Sequence, residues 1–127
     1  LFIQIEPQSD VPIYSQVQNG IMEGIVRGEL KPGDTLPSVR ALAGDLGVNM
    51  HTVNKSYHEL ENKGVIKIVP KSGAIISSSS EEGVMEERIE QLSQNLRPLL
   101  AESLVYGLDE KQIQDLVSSI IKKVKGE

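Results

Sequence analysis

No cysteine occurs in this 127-residue chain, which excludes a disulfide framework and any thiolate-ligated metal site. Tryptophan is absent too, and Phe2, Tyr14, Tyr57 and Tyr106 are the only phenyl or phenol rings. The core must therefore be built from aliphatic side chains. No apolar run approaches the roughly 20 residues a membrane helix needs, and no signal peptide is visible. Catalytic chemistry is equally sparse. His51 and His58 lie two helical turns apart, with no carboxylate placed to complete a catalytic or metal set. There is no phosphate-loop glycine pattern, no nucleophile elbow and no metal-ligand spacing. The expectation is a cytoplasmic, non-enzymatic protein with no cofactor and no membrane partner.

What is present centres on Leu36–Val53, LPSVRALAGDLGVNMHTV. Pro37 halts the preceding segment and Ser38 offers a hydroxyl cap for a helix start. Val39, Leu42, Ala43 and Leu46 fall on one helical face. Gly47 then supplies a residue that tolerates positive φ, Val48 plugs the turn, and Asn49 can cap a second helix. Val53, Tyr57 and Leu60 form the buried face of that helix. His51, Thr52, Lys55, Ser56, His58 and Asn62 are expected on its outer face. Two short helices around a glycine turn also describe an ordinary αα-hairpin, so the flanks must decide.

Upstream, Pro12 to Arg27 reads as a helix with Pro12 in its first turn and Ile13, Val17, Ile21 and Ile25 on one face. Gly20 and Gly24 beside that stripe would let another helix approach closely. Gly28 to Leu36 reads as a turn-rich connector. Downstream, Gly64 ends the second motif helix. The β-branched runs Val65–Val69 and Ala74–Ser77 then flank Pro70-Lys71-Ser72-Gly73, a hairpin with a basic tip. Three helices followed by such a hairpin make a winged helix-turn-helix.

Residues 12–77 resemble the N-terminal domain of GntR-type bacterial transcription regulators. The matching elements are GELKPG at 28–33, LPSVRALA at 36–43, LGV at 46–48, Thr52-Val53, Glu59-Leu60-Glu61 and Gly64. The short remainder and the strand-like Leu1–Ile5 are similar to the YtrA subfamily, in which two C-terminal helices serve dimerisation. The resemblance implies a homodimer reading a palindromic operator on double-stranded DNA. It carries Arg40 over as a DNA contact, with Thr52 and Gly73 next. Met50, His51 and Asn54 stand where many members carry other residues, so the pattern assigns them no base. The candidate DNA-binding set is Ser38, Arg40, Asn49, His51, Thr52, Asn54, Lys55, Lys71, Ser72 and Gly73.

The net charge of −5 argues at first against nucleic acid. Its distribution answers this. Residues 1–77 hold seven Lys+Arg against eight Asp+Glu, a net of −1, and residues 78–127 hold six against ten, a net of −4. DNA binding needs a local basic face, which Arg40, Lys55, Lys67 and Lys71 can supply, helped by backbone donors at the motif helices' N-termini.

In the second part, Ser77–Ser80 is a polar linker and Glu81 fits a helix start. Met85, Ile89, Leu92, Leu96 and Leu99 recur at spacings of 4, 3, 4 and 3, a short heptad-like stripe. Pro98 is expected to kink this helix or shift its register near Asn95. Gly107 ends it, and Asp109 with Gln112 has the form of a capping box. Ile113, Leu116, Val117, Ile120, Ile121 and Val124 line the last helix. The fold expected is mainly α with a small β wing (α+β). Residues 1–77 form a DNA-binding winged helix, and 78–127 a two-helix dimerisation segment. Two alternatives remain open: a small-molecule effector in a groove at the C-terminal dimer interface, and a protein-interaction module that does not touch DNA.

Overall fold

A computed structural model describes residues 3–78 and 82–127. They fall in two compact units, divided between positions 79 and 80. The first begins with helix α1 (Ile13–Val26), whose cap residue is Pro12. Proline has no N–H to lose there, and its carbonyl accepts from Ser15 and Gln16 N–H at 3.0 and 3.1 Å. The strand expected at the N-terminus does not form across Ile3–Ile5, and Leu1 and Phe2 lie outside the described residues. Ile3 and Ile5 pack instead against the core. A Cβ at Gly20 would lie 2.9 Å from Ile3 Cγ1. The small residue thus admits the N-terminal segment, not a second helix. Gln16 fastens that segment: its Oε1 accepts from Glu6 N–H at 2.8 Å, and its Nε2 donates to Glu6 O at 3.0 Å and Val11 O at 2.9 Å.

The connector holds an element that the sequence reading misses, the two-residue strand β1 (Thr35–Leu36). Helices α2 (Val39–Leu46) and α3 (Met50–Asn62) follow, with the caps the sequence indicates. Ser38 Oγ accepts from Ala41 N–H at 3.1 Å, and Asn49 Oδ1 from His51 N–H at 2.7 Å. Gly47 closes α2 at φ 69°, in the left-handed region glycine enters without steric cost. Strands β2 (Ile66–Val69) and β3 (Gly73–Ile76) complete an antiparallel sheet in the order β1-β3-β2. The register pairs Leu36 and Ile68 with Ala74 from opposite sides. Glu61 on α3 steadies β2, its Oε2 accepting from Ile68 N–H at 2.8 Å.

The core is aliphatic around one phenol. Val17 and Ile21 of α1 meet Leu42 and Ala43 of α2, Val53, Tyr57 and Leu60 of α3, and Leu30, Leu36, Ile66, Ala74 and Ile76. Ser56 corrects the sequence reading. It is fully buried, not on the outer face, with Oγ 2.8 Å from Tyr14 O and 3.1 Å from Thr52 O. A small hydroxyl that binds backbone carbonyls can enter an α1–α3 contact where a longer polar chain could not.

The second unit is two helices, α4 (Glu82–Val105) and α5 (Glu110–Val124). Pro98 lies inside an unbroken α4, so the helix continues without the N–H that would reach Gln94. Ser79 and Ser80 of the polar linker, and Glu81 at the expected helix start, lie outside the described residues. Gly107 at φ 92° ends the α4 turn, with Leu108 N–H donating to Ser103 O at 3.2 Å. The Asp109–Gln112 capping box is complete in both directions, at 2.8 and 2.9 Å. The apolar stripes are bare: Leu99 of α4 is 59% exposed and Ile120 of α5 49%. The two helices make little contact with each other.

Candidate nucleic-acid interface

Two bonds set the frame of the site. Tyr57, fully buried in α3, donates from Oη to Pro37 O at 2.7 Å. This ties the middle of α3 to the residue preceding the α2 cap. The hydroxyl is cut off from water, and burial pushes its pKa up to about 12. Gly73 sets the wing. At φ 114°, a Cβ there would lie 2.2 Å from Leu36 O and 2.9 Å from Pro37 O. The wing can lie against the β1–α2 junction because position 73 has no side chain.

Between these elements runs a groove of about 610 Å³. The cap residue Ser38 with Val39 and Arg40 lines it from the start of α2, Asn54 and His58 from α3, and Ile68 to Lys71 with Gly73 from the wing. Ser38, Arg40, Asn54 and Lys71 thus come together from three separate elements. Gly73 lies with them and is buried, seating the wing against the β1–α2 junction. Lys71 holds the turn at φ 67°, the only positive φ on a non-glycine among the described residues. His58 enters the groove although the sequence reading gives it no role. The available signal was its place one turn after Asn54 on the same face.

Other candidates stand apart from the groove lining. Asn49, His51 and Ser72 are exposed and Thr52 half-buried. Lys55 is exposed, and its Nζ sits 3.8 Å from the centroid of the Tyr14 ring. Lys67 does not join the basic face. It borders Pro32, Gly33 and Ile75, across the sheet from Ile68, as strand alternation requires. The caps also occupy Ala41 and His51 N–H, so those donors are not available to phosphate. Arg40 and Lys71 make no ion pair among the described residues, which leaves two uncompensated cations at the groove. No group of three His, Asp or Glu among the described residues could hold a metal, and no helix there is long and apolar enough to cross a membrane.

Residues 13–76 match the family described as bacterial regulatory proteins, gntR family. The HTH-type transcriptional repressor YtrA of Bacillus subtilis (strain 168) is 35% identical over 124 residues, covering 98% of this chain and 95% of that protein. A transcriptional antiterminator from Listeria monocytogenes EGD-e superposes with a TM-score of 0.89 at 28% identity, over 100% of this chain and 95% of that one. YtrA from Sulfolobus acidocaldarius, a GntR-family transcription factor, gives 0.61 at 36% identity, over 96% and 98%. The architecture is therefore a winged helix-turn-helix with a YtrA-type helical extension, a scaffold of regulators and not of enzymes. The chain belongs to the gntR family of bacterial DNA-binding transcription regulators.

Proposed function

We propose that the protein is a homodimeric repressor that binds a palindromic operator. The observation that carries this is the groove, where Arg40, Asn54 and Lys71 converge from α2, α3 and the wing. In this reading α3 enters the major groove from its N-terminal end, Arg40 and Lys71 take phosphates or base edges, and Ser38, Asn49, His51, Thr52, Lys55 and Ser72 complete the contact surface. Repression is supported by the similarity to a YtrA repressor along nearly the whole of both chains.

Dimerisation rests on the second unit. Met85, Ile89, Leu92, Leu96 and Leu99 of α4 are exposed, as are Leu116, Val117 and Ile120 of α5, with Ile113 half-buried. A single protomer leaves these side chains in water at about 25 cal/mol per Å² of apolar surface, and a second copy with the same stripe can cover them. Residues 78–127 then pair the copies and residues 1–77 read DNA. Two protomers related by a two-fold axis require two half-sites. With Arg40, Lys55 and Lys71 from each, six phosphate contacts would give a salt slope of about −5.

Selection of bound duplexes from a random DNA pool, followed by salt titration, tests this. A two-fold-symmetric site with salt-sensitive affinity is expected. If Arg40→Ala with Lys71→Ala leaves affinity unchanged, the groove is not the reader. A thermal-shift screen tests an effector at the dimer interface, and no shift with any candidate metabolite would leave that reading without support.

A further inference from the structure

We infer that Met50 reads the methyl group of a thymine in each half-site, which rests on the DNA-reading function proposed above. Met50 is the first residue of α3, set in place by the Asn49 cap, and it is 40% exposed. One exposed apolar side chain carries little information by itself. Its position carries more. Met50, Asn54 and His58 follow at i, i+4 and i+8, one row along α3, and the last two line the groove beside Arg40 and Lys71. Met50 does not itself line the groove, but of the exposed apolar residues described in the first unit, Val11, Val26, Met50 and Ile75, it alone lies on α3. Met50 is thus the apolar end of an otherwise polar row, at the end of a recognition helix that meets base edges.

The chemistry of the major groove then narrows the partner. Base edges there offer donors, acceptors and one apolar group, the C5 methyl of thymine. A thioether donates no hydrogen bond and accepts only weakly, so it cannot repay the desolvation of a phosphate or a polar base edge. Its three rotatable bonds and polarizable sulfur suit a small apolar knob of adjustable position.

The test replaces thymine by deoxyuridine, which lacks only that methyl. Each symmetry-related pair in the selected operator is exchanged in turn. Burial of a methyl-sized group is worth about 0.8 kcal/mol, or roughly fourfold, so two half-sites give about 16-fold. One pair is expected to cost the wild type that factor and to cost Met50→Ala nothing measurable. Met50→Gln, which keeps the length and loses the apolar tip, is expected to behave like Met50→Ala. Both variants should melt as the wild type does, since the side chain lies outside the core. A wild type indifferent to every exchange would overturn the inference. So would an equal loss retained in Met50→Ala. Failure to select any operator would overturn the DNA-reading function itself, a separate result from an operator that ignores the methyl.

Discussion

The ammonium of Lys55 on α3 stands 3.8 Å from the centre of the Tyr14 ring on α1. The contact joins the recognition helix to the first helix at the surface, beside the buried Ser56 Oγ that bonds Tyr14 O. It also holds a cation in one place without neutralising it. Tyr14→Leu removes the ring and keeps the charge. We expect it to cost about 0.5–1 kcal/mol in urea unfolding and to leave the salt slope of DNA binding unchanged. Lys55→Ala should instead weaken all sequences alike and reduce the slope by about one per protomer. An unaltered slope would remove Lys55 from the interface.

Tyr57 gives the fold a pH limit. Its folded pKa is raised to about 12 from an ordinary 10, because burial disfavours the phenolate. A raised folded pKa means that the folded state holds the proton more tightly than the unfolded one. The associated stability is fully present below pH 10 and is lost as pH rises through about 12. Two units correspond to about 2.7 kcal/mol at most. Tyr57→Phe should lose about 1 kcal/mol at neutral pH, from the unpaired Pro37 carbonyl, and should lack the tyrosine's alkaline loss. Urea titrations at pH 9 and 11 on both proteins measure this. Parallel declines would show that another group sets the alkaline limit.

Two glycines should respond in opposite directions to the same substitution. Gly73→Ala puts a Cβ 2.2 Å from Leu36 O at a φ of 114°. The wing must leave the β1–α2 junction or the backbone must shift, at a cost of about 3 kcal/mol or more. Gly44→Ala, in the middle of α2, meets nothing within 4 Å. It should stabilise by about 0.5–1 kcal/mol through helix propensity alone. Thermal melting of the two variants decides both. A wing that accepts alanine at 73 would mean that it does not rest on β1 as described.

Local signals were readable from sequence because one short window contains all their parts. Ser38, Gly47, Asn49, Gly64, Gly107 and the Asp109–Gln112 box each mark an element's end through their own backbone neighbours. Tyr57 and its apolar companions followed from period. What stayed hidden depends on distant partners. β1 is two residues long and exists only by pairing with β3, some 40 positions on. Ser56 looks like an outer-face residue until α1 is laid across it. Lys67 counts as a basic-face lysine until the sheet turns it to the side opposite Ile68. Arg40, Asn54 and Lys71 are each legible as candidate contacts in the sequence, yet their convergence on one groove follows from the Tyr57–Pro37 bond and the bare Gly73, which sequence spacing does not reveal.

The α4 stripe supplies the last test. Leu92 and Leu96 are more than half exposed in a single protomer, so charge placed there does not disturb a protomer's own core. Leu92→Asp with Leu96→Asp should abolish the proposed dimer, because two carboxylates per chain would have to enter its apolar seam without partners. Sedimentation is expected to show a monomer, and thermal melting a winged helix that stays folded, while α4 and α5 lose helicity without a partner to cover their stripes. The separated winged helix should bind one half-site as the wild-type protomer does, and the full operator 10²–10⁴-fold more weakly through lost avidity, an order-of-magnitude expectation. A variant that remains dimeric would move the interface off this face of α4. A monomer that keeps full operator affinity would show that pairing is not what joins the two half-sites.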